Sequence, residues 1–392
     1  MFTTGVVVLF SISLAFGKYN PFGVTSSADE DAGIGFGQLM TVLLIPLLYI
    51  NKNKCKKLRL PFYDWKQPLV TFYFISLVIV VMLASSLTLG LIVSWIKLFM
   101  GVLVCVLLPY TFNDKRILHY SLFSFSIACG IICVLAVSGL LGSLVEVRNG
   151  RLLLWGENPN STSTRWVLAV LYITNFVVFN PLNKGKYRYI LLVLLLPLMM
   201  MIMMSGSRGS FIIALFCVFI NIYFLGKNSP KLFFLMGILL GGLTMYLIGN
   251  FDNSSYSLFD RFNTYADSSE DIRTQLMEAS FTIFLSNPIL GVGQYDYLLE
   301  MNKLGYHLYV HNLYMHVLTI CGVVGFIPFA IFIIKLLCGT YKVIKENSIP
   351  FIILCYMLLI AYKTGGILTY LFMWFVFGVV ASMVNNTMRE RR

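Results

Sequence analysis

Apolar runs of close to 20 residues recur along the whole chain, broken by short polar loops. A run of that length matches the hydrocarbon thickness of a bilayer when it coils as an α-helix. The runs are continuous rather than alternating, which argues against a membrane β-barrel. The expected fold class is therefore all-α: a polytopic integral membrane protein of about 12 transmembrane helices. Composition agrees, with 58% hydrophobic and 12% charged residues, where a soluble domain carries about a quarter charged.

The formal charge of +12 does not point to nucleic acid, because Lys and Arg collect in short loops between apolar runs. Loops of one parity hold Lys52, Lys54, Lys56, Lys57 and Arg59, then Lys115 and Arg116, then Lys184, Lys186 and Arg188, then Lys227 and Lys231, then Lys342 and Lys345; the tail ends Arg389, Arg391 and Arg392. Most acidic residues lie in loops of the other parity. This is the positive-inside pattern. It places both termini and the basic loops on the cytoplasmic side of the membrane. Phe2–Gly17 has no basic segment before it and reads as a retained first span. The eight cysteines form no Cys-x-x-Cys and read as small apolar packers.

The expected organisation is spans one to nine in residues 1–249, a long outer loop in 250–312, and spans ten to twelve with the tail in 313–392. A loop of about 60 residues is far longer than an ordinary connection and is generally functional. Within it a helix is expected from about Ser268 to Ser286. Asp267 and Glu270 have capping-box spacing, Ile272, Leu276, Ala279 and Ile283 form one apolar stripe, and Asn287-Pro288 ends the helix. Gly291-Val-Gly293 permits a tight turn. Arg273 then falls in the first turn, where its charge gains nothing from the helix dipole; an anionic ligand would explain its placement.

Arg208, Arg261, Arg273, His311 and Lys363 all fall on the non-cytoplasmic side, as do Arg148, Arg151 and Arg165. Arg208 stands between Gly206 and Gly209, small neighbours that let backbone N–H groups and a guanidinium approach one anion; a boundary arginine reaching to headgroups is the plainer reading. Arg261 follows Asp260, and Arg273 has Glu270 and Asp271 beside it, so simple ion pairs remain open for both. His311 re-enters the membrane with Asn312 at a helix start, where an imidazole suits a general base or merely an interfacial hydrogen bond. His316 lies about 140° around that helix and reads as a packed polar residue. His119 gets no role. Tyr265, Tyr295, Tyr297, Tyr306, Tyr309 and Trp155 are of a type that stacks on sugars or anchors at interfaces. There is no His-Glu-x-x-His, no Cys/His cluster and no nucleotide fingerprint, so no metal and no cofactor is expected.

Four short boxes carry a resemblance. They are Gly156-Glu157-Asn158-Pro159-Asn160 ahead of Arg165; Ser205-Gly206-Ser207-Arg208-Gly209-Ser210; Arg273 followed by Asn287-Pro288-Ile289-Leu290-Gly291-Val292-Gly293; and His311-Asn312 followed by Gly322-Val323-Val324-Gly325. In this order the chain resembles the O-antigen polymerase and O-antigen ligase superfamily over about Arg151 to Phe326. The resemblance implies metal-independent glycosyl transfer from an undecaprenyl-pyrophosphate-linked oligosaccharide at the periplasmic face. His311, Arg208 and Arg273 would be catalytic, the imidazole as base and the guanidiniums on the pyrophosphate. Arg261, Arg151, Arg165, Asn160, Asn312, Tyr295 and Lys363 would bind substrate. Membrane lipids and a chain-length regulator protein are the further partners implied. Polymerase is preferred to ligase because the loop, with about eight acids against a few basics, offers little to the phosphates of lipid A–core. A transporter of the lipid-linked glycan is the alternative of another class. It would need charges midway through several spans, where only Lys97 and Lys335 come near, and an inverted repeat that the sequence lacks.

Overall fold

The computed structural model describes residues 2–17, 19, 36–54, 60–85, 88–148, 151–179, 191–226, 266–364 and 368–391. Nearly all of them are helical. The helices are α1 (Phe2–Ala15), α2 (Phe36–Lys54), α3 (Lys66–Leu83), α4 (Leu89–Thr111), α5 (Lys115–Val137), α6 (Pro159–Phe179), α7 (Leu195–Met204), α8 (Arg208–Gly226), α9 (Ala266–Ser286), α10 (Gln294–Lys303), α11 (Leu313–Val343), α12 (Ile349–Thr364) and α13 (Leu371–Glu390). Helices stand at eleven of the twelve expected runs; the ninth, Leu232–Ile248, lies outside the described residues. Five of them, α3, α4, α5, α11 and α13, are long and apolar enough to cross a membrane by length and composition alone, and α1, α7, α8 and α12 supply shorter apolar helices.

The hydropathy reading omits one element. β1 (Val145–Arg148) and β2 (Arg151–Leu154) pair antiparallel, with Arg148 opposite Arg151. Asn149-Gly150 between them is the strongest short-range hairpin dipeptide, and it was the available signal.

The chain divides into two compact units. One holds α1, the first turn of α2, α5, the hairpin, α6, α7 and α8. Here α5 packs against α1, α6 and α7, and α6 against α8. Gly130 admits Leu194, whose Cδ1 would lie 2.9 Å from a Cβ added at that glycine. Two polar links cross the packing: Asn221 Nδ2 donates to Thr174 Oγ1 at 2.9 Å, buried, and His119 Nδ1 meets Tyr172 Oη at 3.1 Å, part-buried. His119 is thus a packing residue.

The other unit holds the rest of α2, α3, α4 and α9 to α13. α13 lies on α4 and α11 on α3. The α4–α13 seam interlocks small against large. A Cβ at Gly101 would stand 2.4 Å from Trp374 Cδ1, and one at Gly378 would stand 3.2 Å from the Cα of Cys105. Such close approach is how apolar helices gain dispersion contacts where lipid gives no hydrophobic drive. At one end of this unit the α13 terminus gathers the neighbouring loops. Asn385 exchanges hydrogen bonds with the backbone of Phe62, Asn386 Nδ2 donates to Phe112 O at 2.9 Å, Arg389 donates to Asn113 O, and Arg391 pairs with Glu346. These are the loops that the charge pattern assigns to one side. Ser85 at the far end of α3 donates to Asp296 of α10 at 2.7 Å, so the long-loop helices stand at the opposite end.

Candidate functional site

In the second unit the site grows from the end of α9. Leu276, Ala279 and Ile283 are buried as the stripe requires, whereas Ile272 is 49% exposed and does not belong to it. The helix begins at Ala266, one residue before Asp267. Asp267 is therefore inside the helix rather than capping it, and Arg273 lies seven residues in, beyond the first turn. The dipole argument for an anion does not apply at that depth. A different relation does. Seven residues are two turns of helix, so Arg273 shares a face with Ser280, about 10 Å further along.

Ser280 is buried, with its Oγ 2.9 Å from Tyr297 Oη. The same phenol accepts the backbone N–H of Val310 at 3.0 Å. Thr319 Oγ1 of α11 lies 3.3 Å from Ser280 O. One hydroxyl thereby binds α9, α10 and the irregular segment leading into His311. Tyr297 is fully buried, so it cannot stack on a sugar, and burial pushes its phenol above the usual value. Its ring stacks on Tyr309 at 5.9 Å and meets His316 edge-on at 5.3 Å. His316 is buried, as a packed polar residue should be. His311, Tyr295 and Tyr306 are half-buried. Asn312 is the N-cap of α11, its Oδ1 accepting from Met315 N at 3.0 Å.

The turn after α9 is seated in a break in α11. Gly322 adopts φ 58° inside that helix, which frees the carbonyls before it and the N–H groups after it. Val292 and Gly293 donate to Thr319 O and Ile320 O, and Val323 and Val324 donate to Pro288 O and Ile289 O, all at 2.9–3.1 Å. Both glycines at the joint are required. A Cβ at Gly291 would fall 2.5 Å from Thr319 O, and one at Gly322 would fall 2.2 Å from Ile289 O.

In the first unit, α7 and α8 meet at a serine-rich hinge. Gly206 takes φ 62°, and Ser207 Oγ receives the Ser210 N–H at 3.4 Å, capping α8 with Arg208 as its first residue. Ser205, Ser207 and Ser210 are buried.

Residues 190–330 match the O-antigen ligase family. No curated protein matches the chain. The match supports a part in surface-polysaccharide biosynthesis by a glycosyl-transfer enzyme that takes lipid-linked glycans. The matched segment contains Arg208, Arg261, Arg273, Tyr295, His311 and Asn312, and it contains both glycine positions of the α9–α11 joint. Arg261 lies outside the described residues.

Arg151, Asn160, Arg165 and Lys363 stand outside the matched segment. Asn158 Oδ1 accepts from Asn160 N at 2.9 Å and Pro159 opens α6, so the Asn-Pro-Asn box is a helix cap with proline at its favoured first position. Arg165 grips Glu157 with both guanidinium nitrogens, at 2.8 and 2.5 Å, and both side chains are 1% exposed. Glu157, which lies in the Gly-Glu-Asn-Pro-Asn box, is its fixed partner. Gly17 sits against the pair: a Cβ there would lie 2.2 Å from Glu157 Oε2. Beside it Trp155 stacks on Phe16 at 5.8 Å. Arg151 opens β2 half-buried, and Lys363 is half-buried in the last turn of α12. Among the described residues no group of three His, Cys, Asp or Glu side chains is arranged to hold a metal ion.

Proposed function

We propose that the protein is an O-antigen polymerase that joins undecaprenyl-pyrophosphate-linked repeat units by metal-independent, inverting glycosyl transfer at the periplasmic face of the bacterial inner membrane. The observation that carries this reading is the Tyr297 bridge. It fixes the Arg273 face of α9 against the segment that bears His311, inside the matched residues 190–330. His311 accepts the proton of an acceptor-sugar hydroxyl while that oxygen attacks the anomeric carbon of the donor. The bond from this carbon to the pyrophosphate oxygen breaks, and its electron pair leaves with undecaprenyl pyrophosphate. Arg273 meets the departing charge as a forked donor, which strengthens most where charge develops; the family resemblance assigns Arg208 the same role. Arg261, Arg151, Tyr295 and Lys363 contact the glycan; Asn160 and Asn312, buried in the caps of α6 and α11, and Arg165, which holds the head of α6 through Glu157, contribute by positioning. A chain-length regulator is the further partner.

The matched family's description favours a second reading, transfer of finished glycan to lipid A–core. One experiment separates the two. Purified protein is given synthetic undecaprenyl-pyrophosphate-linked repeat units, with and without lipid A–core. A ladder retained on undecaprenyl pyrophosphate is the expected product. Glycan found only on lipid A–core would establish the ligase, and no new glycosidic bond with either acceptor would favour transport. Arg208→Ala, Arg273→Ala and His311→Ala should each abolish extension, and EDTA should leave it unchanged.

A further inference from the structure

At the end of the second unit where α13 gathers its neighbours, three tyrosines frame two lysines. Tyr63 and Tyr110 meet edge to face, their ring centres 5.3 Å apart. Lys66 Nζ stands 5.2 Å from the centre of the Tyr63 ring, and Lys52 Nζ stands 5.8 Å from that of Tyr49 and 5.9 Å from that of Tyr110. All three contacts are within cation–π reach. The frame is fixed from behind. Tyr63 Oη donates to Val106 O at 3.0 Å, and Asn51 Nδ2, beside Lys52, donates to Thr111 Oγ1 at 3.0 Å. Phe62, next to Tyr63, and Phe112, two residues after Tyr110, are held by Asn385 and Asn386 of α13.

This pair of cations has no counter-charge in the fold. Lys52 and Lys66 are close enough for their charges to repel. Among the described residues neither ammonium forms a salt bridge. Asp64, the acid beside Tyr63, is engaged by Lys335 at 3.2 Å. The sequence between Lys54 and Leu60, Cys55-Lys56-Lys57-Leu58-Arg59, holds no carboxylate either. Like charges held together are unfavourable, and a phosphate between them would relieve the repulsion through charge-assisted hydrogen bonds.

The surroundings indicate what carries the phosphate. Lys66 opens α3, and Tyr110 is the last residue but one of α4. Both helices are long and apolar enough to cross a membrane, so the frame stands where hydrocarbon gives way to headgroups. Tyr49 and Ile50, on the apolar side of Lys52 along α2, are 54% and 50% exposed. A ligand that meets ammonium groups and an exposed apolar edge side by side carries phosphate and hydrocarbon in one molecule.

We propose that Lys52 and Lys66, in their tyrosine frame, bind the phosphate of an anionic phospholipid from the leaflet that the basic loops face. Such a seat depends on the membrane-spanning fold alone and holds whichever glycan the protein transfers.

The test uses the full-length protein in an uncharged detergent, titrated with phosphatidylglycerol, phosphatidylcholine or inorganic phosphate and melted at each concentration. A ligand of the folded state raises Tm by mass action. Phosphatidylglycerol should raise the wild-type Tm, and Lys52→Gln/Lys66→Gln should weaken its apparent Kd about tenfold. Lys342→Gln/Lys345→Gln removes as much charge from an exposed pair at the end of α11 and should leave that Kd unchanged. No rise in the wild type, or no weakening in Lys52→Gln/Lys66→Gln, overturns the seat. Equal weakening in both double variants means attraction to basic surface in general and overturns it too. Phosphatidylcholine as effective as phosphatidylglycerol would mean hydrocarbon contact only, and inorganic phosphate as effective would mean a free anion only; either ends the proposal. Should Lys52→Gln/Lys66→Gln not fold, Lys52→Gln and Lys66→Gln singly decide by the same comparison, each expected to weaken Kd about threefold.

Discussion

The Tyr297 hydroxyl serves two partners at once, Ser280 and the Val310 N–H, so its loss leaves a buried donor unmet. Tyr297→Phe should cost about 1–3 kcal/mol, read as a lowered Tm in detergent. It should also slow extension, because the segment ahead of His311 loses its anchor. The phenol adds a pH signature. Its folded pKa is raised by burial above the ordinary 10.0, so above that pH the unfolded chain ionises while the folded one does not. Stability should therefore decline from about pH 10 upward, and less steeply in Tyr297→Phe; thermal melts between pH 9 and 11 check both slopes. Glu157 and Arg165 support a second test at this scale. Removing one member of a buried pair strands the other, at a typical cost of about 3–5 kcal/mol, whereas replacing both with apolar residues is often neutral. Glu157→Gln should destabilise accordingly, and Glu157→Met/Arg165→Met should recover much of the loss on the same melting assay. Neither residue's partner was legible in the sequence. Arg165 and Glu157 are eight positions apart, on either side of a helix cap, and the link between Tyr297 and Val310 depends on tertiary packing.

The four sequence boxes turn out to be helix ends. Asn158-Pro159 caps α6, Ser207 caps α8, Asn312 caps α11, and Asn287 to Gly293 closes α9 into the break at Gly322. A polar cap between apolar runs is legible because Ser, Asn, Pro and Gly are the residues that orphaned helix-end groups demand. The end of α9 at Asn287-Pro288 was legible for that reason. Its start was not, because Ala266 continues the helix one residue ahead of the capping signal at Asp267. The break in α11 was hidden as well: apolar residues continue on both sides of Gly322, and hydropathy does not register φ. Gly322→Ala should destabilise the protein by at least ~2 kcal/mol, since it adds left-handed strain to a clash with Ile289 O. Limited proteolysis in detergent should then cut the 287–293 turn faster than in the wild type; equal rates would show that the joint yields without cost.

Across the molecule, the alternation of basic and acidic loops anticipated which loops meet. Phe62, Phe112, Asn113 and Glu346 converge on the end of α13, in loops that share one parity of charge. What charge counting does not contain is the division into two units or the choice of neighbours within each, because every apolar run offers much the same surface. Small residues settle that choice, as Gly101 and Gly378 do between α4 and α13. Gly378→Leu should push α13 off α4, at a cost of about 1–3 kcal/mol for overpacking, seen as a lower Tm and loss of the monodisperse peak on size exclusion.

The seating of the Pro288–Gly293 turn against Thr319–Val324 also bears on how such proteins can be recombined. Each side supplies hydrogen-bonding groups that the other side completes, so neither is a portable cassette. Grafting residues 287–312 alone from a homologue would bare peptide groups to lipid. Transferring α9 through α11 as one block keeps the joint whole, and such chimaeras should insert and fold where the shorter grafts are degraded.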